Sequence, residues 1–217
     1  MTTFPGSPRL LKGGIVVLDP VSARVLTVIP LQYNPDTLTR SLQIKGVGPE
    51  SGDRLEALRL KGPPVETIKV EAEIDATDQL EVADSQATQM GLHPILAALE
   101  ILVYPSSATL QANNSSASSG NLEIVAAEAG LTVFVFGPKR IAPVRFTEFS
   151  ITEEAFDPAL NPIRAKVSLT MRVLSIDDVG FEEKSGGLFM AYLQTKEQFA
   201  GQSSPGALGT LGITGIP

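Results

Sequence analysis

The chain contains no cysteine, no tryptophan and a single histidine, His93. Without cysteine it can form no disulfide, no thiolate nucleophile and no cysteine-ligated metal site. His93 has no second histidine and no nearby serine or cysteine nucleophile. These absences argue against a catalytic or metal-binding histidine, and we expect His93 to cap a helix instead.

Long apolar runs are also absent. The longest extends from Pro94 to Leu99, far short of the ~17–25 residues that span a membrane. The opening, MTTFPGSPRL, lacks the apolar segment of a signal peptide. The net charge of −7 argues against a protein that binds nucleic acid through phosphates. The sequence therefore predicts a cytoplasmic protein with neither a nucleic-acid nor a membrane partner.

Catalytic and cofactor motifs are missing as well. The sequence has no GxGxxG after a strand, no GxxxxGK[ST], no HExxH and no GxSxG. Glu153 and Glu154 are adjacent, so on a strand they point to opposite faces and cannot form a carboxylate pair. We therefore expect no enzymatic activity, no catalytic residue, no cofactor and no metal.

One acidic series leaves two interpretations open. Asp75, Asp78, Glu81 and Asp84 recur at intervals of three, and clustered carboxylates can bind calcium. The glycine and closing glutamate of a calcium loop are absent. The series therefore favours a solvated acidic loop or the start of a helix over a calcium site.

The sequence does have stretches in which apolar and polar residues alternate, and the pattern is strongest between Ala142 and Ile176. The odd positions of its second half are apolar and the even positions are polar, which is typical of a strand with one buried face. In the first half the phase slips, and one extra residue between Thr147 and Phe149 would restore it. The pattern predicts a long antiparallel pair that carries a β-bulge.

Other segments predict further strands and two helices. With 43% hydrophobic residues and 217 residues in all, the chain suits one globular domain. The predicted strands are Gly14 to Leu18, Val25 to Tyr33, Leu38 to Lys45, Glu66 to Asp75, Leu122 to Ala127 and Leu131 to Phe136. The predicted helices are a buried one from Pro94 to Val103 and one from Leu188 to Phe199. The sequence thus predicts a mainly β (α+β) fold.

The remaining segments are predicted to be irregular. Residues 1–11 would form an N-terminal arm, and residues 46–64 a loop with one helical turn at Arg54 to Leu58. Residues 105–121, rich in Ser and Asn, would be a flexible insertion, either functional or merely tolerated. The Gly-rich residues 201–217 would be a disordered tail or an arm that docks on a neighbour. Residues 12–200 would then form the domain.

Three stretches resemble one known family. They are VIPLQYNPDTLTRS, PVETIKVEAEIDATDQLE and PVRFTEFSITEEAFDPALNPIRAKVSLTMRVL, together with a helix that ends in LVYP. They are similar to the tube-domain proteins of contractile injection systems, which are phage-tail-like particles, and the likeness covers residues 10–200. The resemblance implies an antiparallel phage-tube-like β-barrel or two-sheet sandwich with one buried helix and a C-terminal helix.

The same resemblance implies a function in assembly. It implies a homohexameric ring at the baseplate, acting as a tube initiator that joins the inner tube to the spike or hub. The implied partners are further copies of the chain, the inner tube protein, the spike or hub protein and other baseplate subunits. Many members carry a LysM module after the tube domain, and this sequence has none, which favours a plain initiator or adaptor.

The polar side of the long pair is the candidate surface for such contacts. We name it the polar face, and it comprises Arg145, Arg164, Lys166, Ser168, Thr170 and Arg172. It would line the channel or meet a neighbouring subunit, and an ordinary solvated sheet face is the alternative. A carbohydrate- or peptide-binding β-sandwich is the rival function. It would need exposed aromatics, whereas Tyr33, Tyr104 and Tyr192 lie on or beside predicted core elements.

Overall fold

Alternating side chains form seven strands in the computed structural model, which describes residues 11–46, 59–119, 129–204 and 206–216. The strands are β1 Gly14–Leu18, β2 Val25–Pro30, β3 Leu38–Gln43, β4 Val65–Asp75, β5 Leu131–Val135, β6 Ile141–Phe156 and β7 Pro162–Val173. The helices are α1 Thr77–Glu81, α2 Ser85–Met90, α3 His93–Glu100, α4 Ser107–Ser118 and α5 Lys184–Gln202. A 3-10 turn covers Leu208–Leu211.

All seven strands belong to one antiparallel sheet in the order β2-β1-β5-β6-β7-β4-β3. The mainly β (α+β) class is thus confirmed. The sheet is open, with β2 and β3 as its edges, so the expectation of a closed barrel or a two-sheet sandwich is corrected to a single open sheet. Pro30, the last residue of β2, lies at an edge as its missing N–H requires, and the apolar β5 is central.

Gln32 shows how the sheet curves. β3 pairs with β4 only as far as Val70, so the second half of β4 extends past it. There the Gln32 side chain accepts a hydrogen bond from the Asp75 N–H (2.9 Å) and donates one to the Asp75 carbonyl (2.6 Å). Gln32 follows β2, so the two sides of the sheet approach each other. In a closed barrel, paired strands would join these two sides of the sheet. Here the side-chain amide of Gln32 makes the connection to β4.

The long β6–β7 pair has the predicted bulge. The register shifts between Phe146 and Glu148, opposite Met171 and Thr170, so Thr147 is the extra residue. The Thr147 hydroxyl donates to the Thr170 carbonyl at 3.2 Å. The bulge keeps both Phe146 and Phe149 against the core, which is why the apolar phase slips in the sequence.

The core lies on the concave side of the curved sheet. The inward residues of β4 and β7 are almost fully buried and pair directly across the two strands. These residues are Ile68, Val70, Ala72, Ile74, Ala165, Val167, Leu169 and Met171. Helix α3 closes this core with Leu96 and Leu99, and helix α5 adds Phe189 and Tyr192. The buried residues of β4 alternate with the exposed Lys69, Glu71 and Glu73, as expected for a strand with one solvated side.

Two helices differ from expectation. The apolar helix α3 is not buried, because only one of its sides packs against the core. Ile95 on its outer side is exposed, and so are Ile101 and Val103, which follow the helix. His93 is its first residue and not its cap, since Leu92 takes that position without a side-chain bond. The predicted loop at 105–121 contains α4, which the Ser106 hydroxyl caps by accepting from the Thr109 N–H. No residue of α4 is buried.

Several predictions concern residues outside the described part of the chain. They are the helical turn at Arg54 to Leu58, the strand at Leu122 to Ala127 and most of the N-terminal arm. The C-terminal helix begins earlier and ends later than predicted, at Lys184 and Gln202. None of the helices in the described ranges is both long enough and apolar enough to cross a lipid bilayer.

Candidate functional site

The polar face exists as one continuous surface. Arg145 lies directly opposite Arg172 across the β6–β7 pair, and the other four residues follow at alternate positions of β7. The outward side of β4 extends the surface, because Lys69, Glu71 and Glu73 lie opposite Thr170, Ser168 and Lys166. The structure therefore brings together all six residues singled out in the sequence.

The charges of this face are largely paired. Arg164 Nε lies 2.9 Å from Asp75 Oδ2, Lys166 Nζ 2.9 Å from Glu154 Oε1, and Arg172 Nη2 2.5 Å from Asp178 Oδ1. The hydrogen bond from Lys166 to Glu154 raises the pKa of the lysine. The polar face therefore carries charges of both signs, because neighbouring segments supply carboxylates to the basic residues of β7.

Arg145 and Arg172 differ from the rest of the face. Like charges directly opposite each other on neighbouring strands destabilise the pair, and only Arg172 has a carboxylate partner among the described residues. The Nε atom of Arg172 is buried and finds no acceptor there. Arg145 is exposed and can bind an acceptor from outside the chain, whereas the buried Nε of Arg172 is out of reach of one.

Among the described residues neither edge strand has a partner on its outer side, and both edges are partly apolar. Val25, Leu26 and Val28 of β2 are exposed, as are Leu42 of β3 and Ile44 just after it. Open edges with exposed apolar side chains are ready-made surfaces for pairing with another chain. The sequence indicated the edge position of β2 through Pro30, whereas nothing in the pattern of β3 indicated an open edge.

The strongest polar cluster inside the molecule surrounds Glu66, whose side chain is only 5% exposed. Glu66 Oε1 accepts from Arg40 Nε at 2.6 Å and from the Tyr192 hydroxyl at 2.8 Å, and Oε2 accepts from Lys196 Nζ at 2.6 Å. The cluster ties edge strand β3 and helix α5 to β4. Sequence analysis missed it, although Glu66 has the inward parity of Ile68 and Val70, which was a usable signal.

Two carboxylates of the acidic series accept hydrogen bonds within the chain. Asp75 is bound by Arg164 and by Thr77, and the Asp84 carboxylate accepts from the Gln86 and Ala87 N–H groups at the start of α2. In the described ranges no three potential metal ligands converge. Tyr33 and Tyr104 are exposed, contrary to the expected core position, and Tyr192 is buried.

No protein-family model matches the chain, and no curated protein sequence matches it either.

Proposed function

We propose that this protein is a structural baseplate component of a contractile injection system. In this proposal six copies form a ring that joins the inner tube to the spike or hub. The proposal rests on the resemblance of residues 10–200 to tube-domain proteins. Its partners are further copies of the chain, the inner tube protein, the spike or hub protein and other baseplate subunits.

The observation that supports it most is the sheet with two open edges. β2 and β3 each leave one side without a partner strand in the described chain, and both expose apolar residues. A monomer gains nothing from such edges, and they invite aggregation. A ring of copies covers both edges of every subunit, so this architecture suits assembly.

The polar face fits the same proposal. Its ion pairs make it hydrophilic without a large charge of one sign. Such a surface suits a channel wall or a subunit contact. Changing Arg164 and Lys166 to Glu should impair assembly or cargo loading, and the matched change Ser168→Asn should not. Unaltered assembly and loading by the charge-reversed protein would exclude this role for the face.

Helix α4 supports a contact beyond the subunit itself. An isolated helix of about 12 residues is marginal in water even when rich in alanine, and α4 is rich in serine and asparagine and buries no residue. We infer that a neighbouring ring or the spike packs against it. Deleting residues 107–118 should reduce particle assembly, and normal assembly without them would refute this inference.

The decisive experiment locates the chain in particles. A tagged copy should sediment with intact contractile particles from the producing cells, and image reconstruction should place six copies at the junction of tube and spike. A tagged chain that is stable in the cells but absent from purified particles would refute the proposed function.

A further inference from the structure

A basic cleft of about 300 Å³ lies at the end of the sheet where β4 and β6 begin. We call it the basic cleft because four cationic side chains line it: Arg40, Lys139, Arg140 and Lys196. Glu66, buried behind it, offsets only one of these charges. Since the whole chain carries a net charge of −7, this concentration of positive charge stands out.

Aromatic rings hold the cations in place. Lys139 Nζ lies 5.3 Å from the ring centre of Phe199, and Lys196 Nζ lies 4.0 Å from that of Tyr192. The guanidinium of Arg140 lies 5.8 Å from the Phe136 ring. Neither Lys139 nor Arg140 has a carboxylate within salt-bridge distance in the described part of the chain. The cleft therefore presents positioned donors to an incoming anion.

The opposite end of β4 is acidic. From Glu66 to Asp75 the strand spans nine steps, or about 30 Å. Near its far end Glu71, Glu73, Asp78 and Glu81 are exposed, and none of the four makes a salt bridge with another described residue. We call these four residues the acidic end. Val82 lies beside Glu81 and is one of the most exposed apolar side chains.

We propose that the basic cleft of one copy binds the acidic end of a second copy. The two surfaces belong to the same chain but lie at opposite ends of it, so the contact is head-to-tail and leaves a free surface at each end for further copies. Arg140 and Lys139 would bind the carboxylates of Asp78 and Glu81. The proposal deepens the assembly function proposed above and rests on it.

Charge arithmetic favours a second copy as the occupant. Two molecules of net charge −7 repel each other unless their association brings opposite patches together. The basic cleft and the acidic end meet that condition. Exposed Phe199 at the rim of the cleft and Val82 at the acidic end add an apolar contact that can be buried on association.

The test uses two charge-reversed variants of the full chain. The cleft variant carries Lys139→Glu and Arg140→Glu, and the acidic-end variant carries Asp78→Lys and Glu81→Lys. Lys139, Asp78 and Glu81 are exposed and Arg140 is half-buried at the rim of the cleft, so folding should persist and is checked by circular dichroism. A control variant, Arg24→Glu with Lys184→Glu, matches the charge change of the cleft variant away from the cleft and the acidic end.

Sedimentation velocity measures self-association of each protein at low and at high ionic strength. The native chain and the control should self-associate, less so in high salt. Each reversed variant should associate at least about tenfold more weakly. An equimolar mixture of the two variants should associate about as strongly as the native chain, because the intact cleft meets the intact acidic end and the two reversed surfaces also carry opposite charges. A chain carrying both reversals should regain self-association.

Three results would overturn the proposal. They are a native chain that stays monomeric at every ionic strength, a mixture of variants that associates no more strongly than either variant alone, and a control variant weakened as much as the cleft variant. Measuring incorporation into particles distinguishes failure of the head-to-tail contact from failure of the proposed baseplate function. A cleft variant that enters particles normally would refute the head-to-tail contact alone, whereas a native chain that associates but never enters particles would refute the baseplate role alone.

Discussion

Replacing Glu66 by Gln tests the buried cluster that joins β3, β4 and α5. Glutamine keeps the shape of the side chain but removes its charge and turns one acceptor oxygen into a donor. The retained oxygen can still accept from Arg40 and Tyr192, which share Oε1. The new NH2 group then faces Lys196 Nζ, which lies 2.6 Å from Oε2 in the native chain. Two donors therefore meet, and two cations lose their counter-ion.

The expected loss of stability follows from burial. Removing one partner of a fully buried ion pair costs about 3–5 kcal/mol. The Arg40 and Lys196 side chains are 30% and 33% exposed and can turn partly to water, so the lower value, about 3 kcal/mol, applies. For a domain of this size each kcal/mol shifts Tm by about 2–4 °C. We expect Glu66→Gln to lower Tm by about 6–12 °C.

The effect should depend on pH in a defined direction. Burial by itself raises the pKa of the Glu66 carboxyl, but the hydrogen bonds from Lys196, Arg40 and Tyr192 outweigh burial and hold the pKa below its ordinary value of 4.5. A carboxyl whose pKa is lowered by folding stabilises the fold above its unfolded pKa. That stabilisation is lost as pH falls through the lower folded pKa. The Tm difference between native chain and variant should therefore narrow below pH 4.5.

Differential scanning calorimetry between acidic and neutral pH measures both effects. Glu71→Gln is the matched control, because it makes the same chemical change on the exposed side of the same strand, and its cost should stay within about 0.5 kcal/mol. Equal Tm values for Glu66→Gln and Glu71→Gln at neutral pH would refute the reasoning that the cluster stabilises the fold.

Three further predictions follow from the same structure. Gln32→Ala removes the side-chain partner of the Asp75 N–H and carbonyl and should lower the free energy of unfolding in urea by about 1–3 kcal/mol. Gln43→Ala, at an exposed strand end, should lower it less. Equal losses for the two variants would contradict the closing role of the Gln32 amide. Deleting Thr147 removes the bulge and leaves Phe146 and Glu148 in regular alternation opposite Met171 and Thr170. The shortened chain should therefore still fold with Phe146 and Phe149 against the core, and a deletion variant that fails to fold would refute this register. Burial and the Glu66 charge raise the pKa of Tyr192, so the stability that this shift contributes is present below the ordinary tyrosine pKa of 10.0 and is lost as pH rises above it. Tyr192→Phe should remove this loss of stability at alkaline pH in thermal melts. An unchanged dependence of Tm on alkaline pH would refute the assignment to Tyr192.

The sequence does not predict the helix within 105–121, for a physical reason. Serine and asparagine compete with the helical backbone for hydrogen bonds, so their abundance predicts a loop. The cap formed by Ser106 is a local signal for the helix, but the composition of the segment outweighs it. For α3, the apolar residues on both sides predicted burial, but only the tertiary structure shows that nothing in the described chain covers Ile95 or Ile101.

The candidate site was predictable only in part. The polar face could be found because its six residues alternate along the strands with buried apolar ones. Of the acids that pair with them, Asp178 and Glu154 lie nearby in the sequence, but Asp75 meets Arg164 across a separation of 89 positions. Lys196 and Tyr192 reach Glu66 across 130 and 126 positions. No local pattern encodes such meetings, and the basic cleft depends on the same long-range packing.

The sequence by itself determined the strands, their buried sides and the bulge at Thr147, because side chains alternate with a period of two and any slip in that period is visible locally. Only the tertiary structure decided the strand order, the open sheet bridged by Gln32, and the separation of basic and acidic ends. These features depend on which distant segments pack together, and that choice is made by the energy of the whole core.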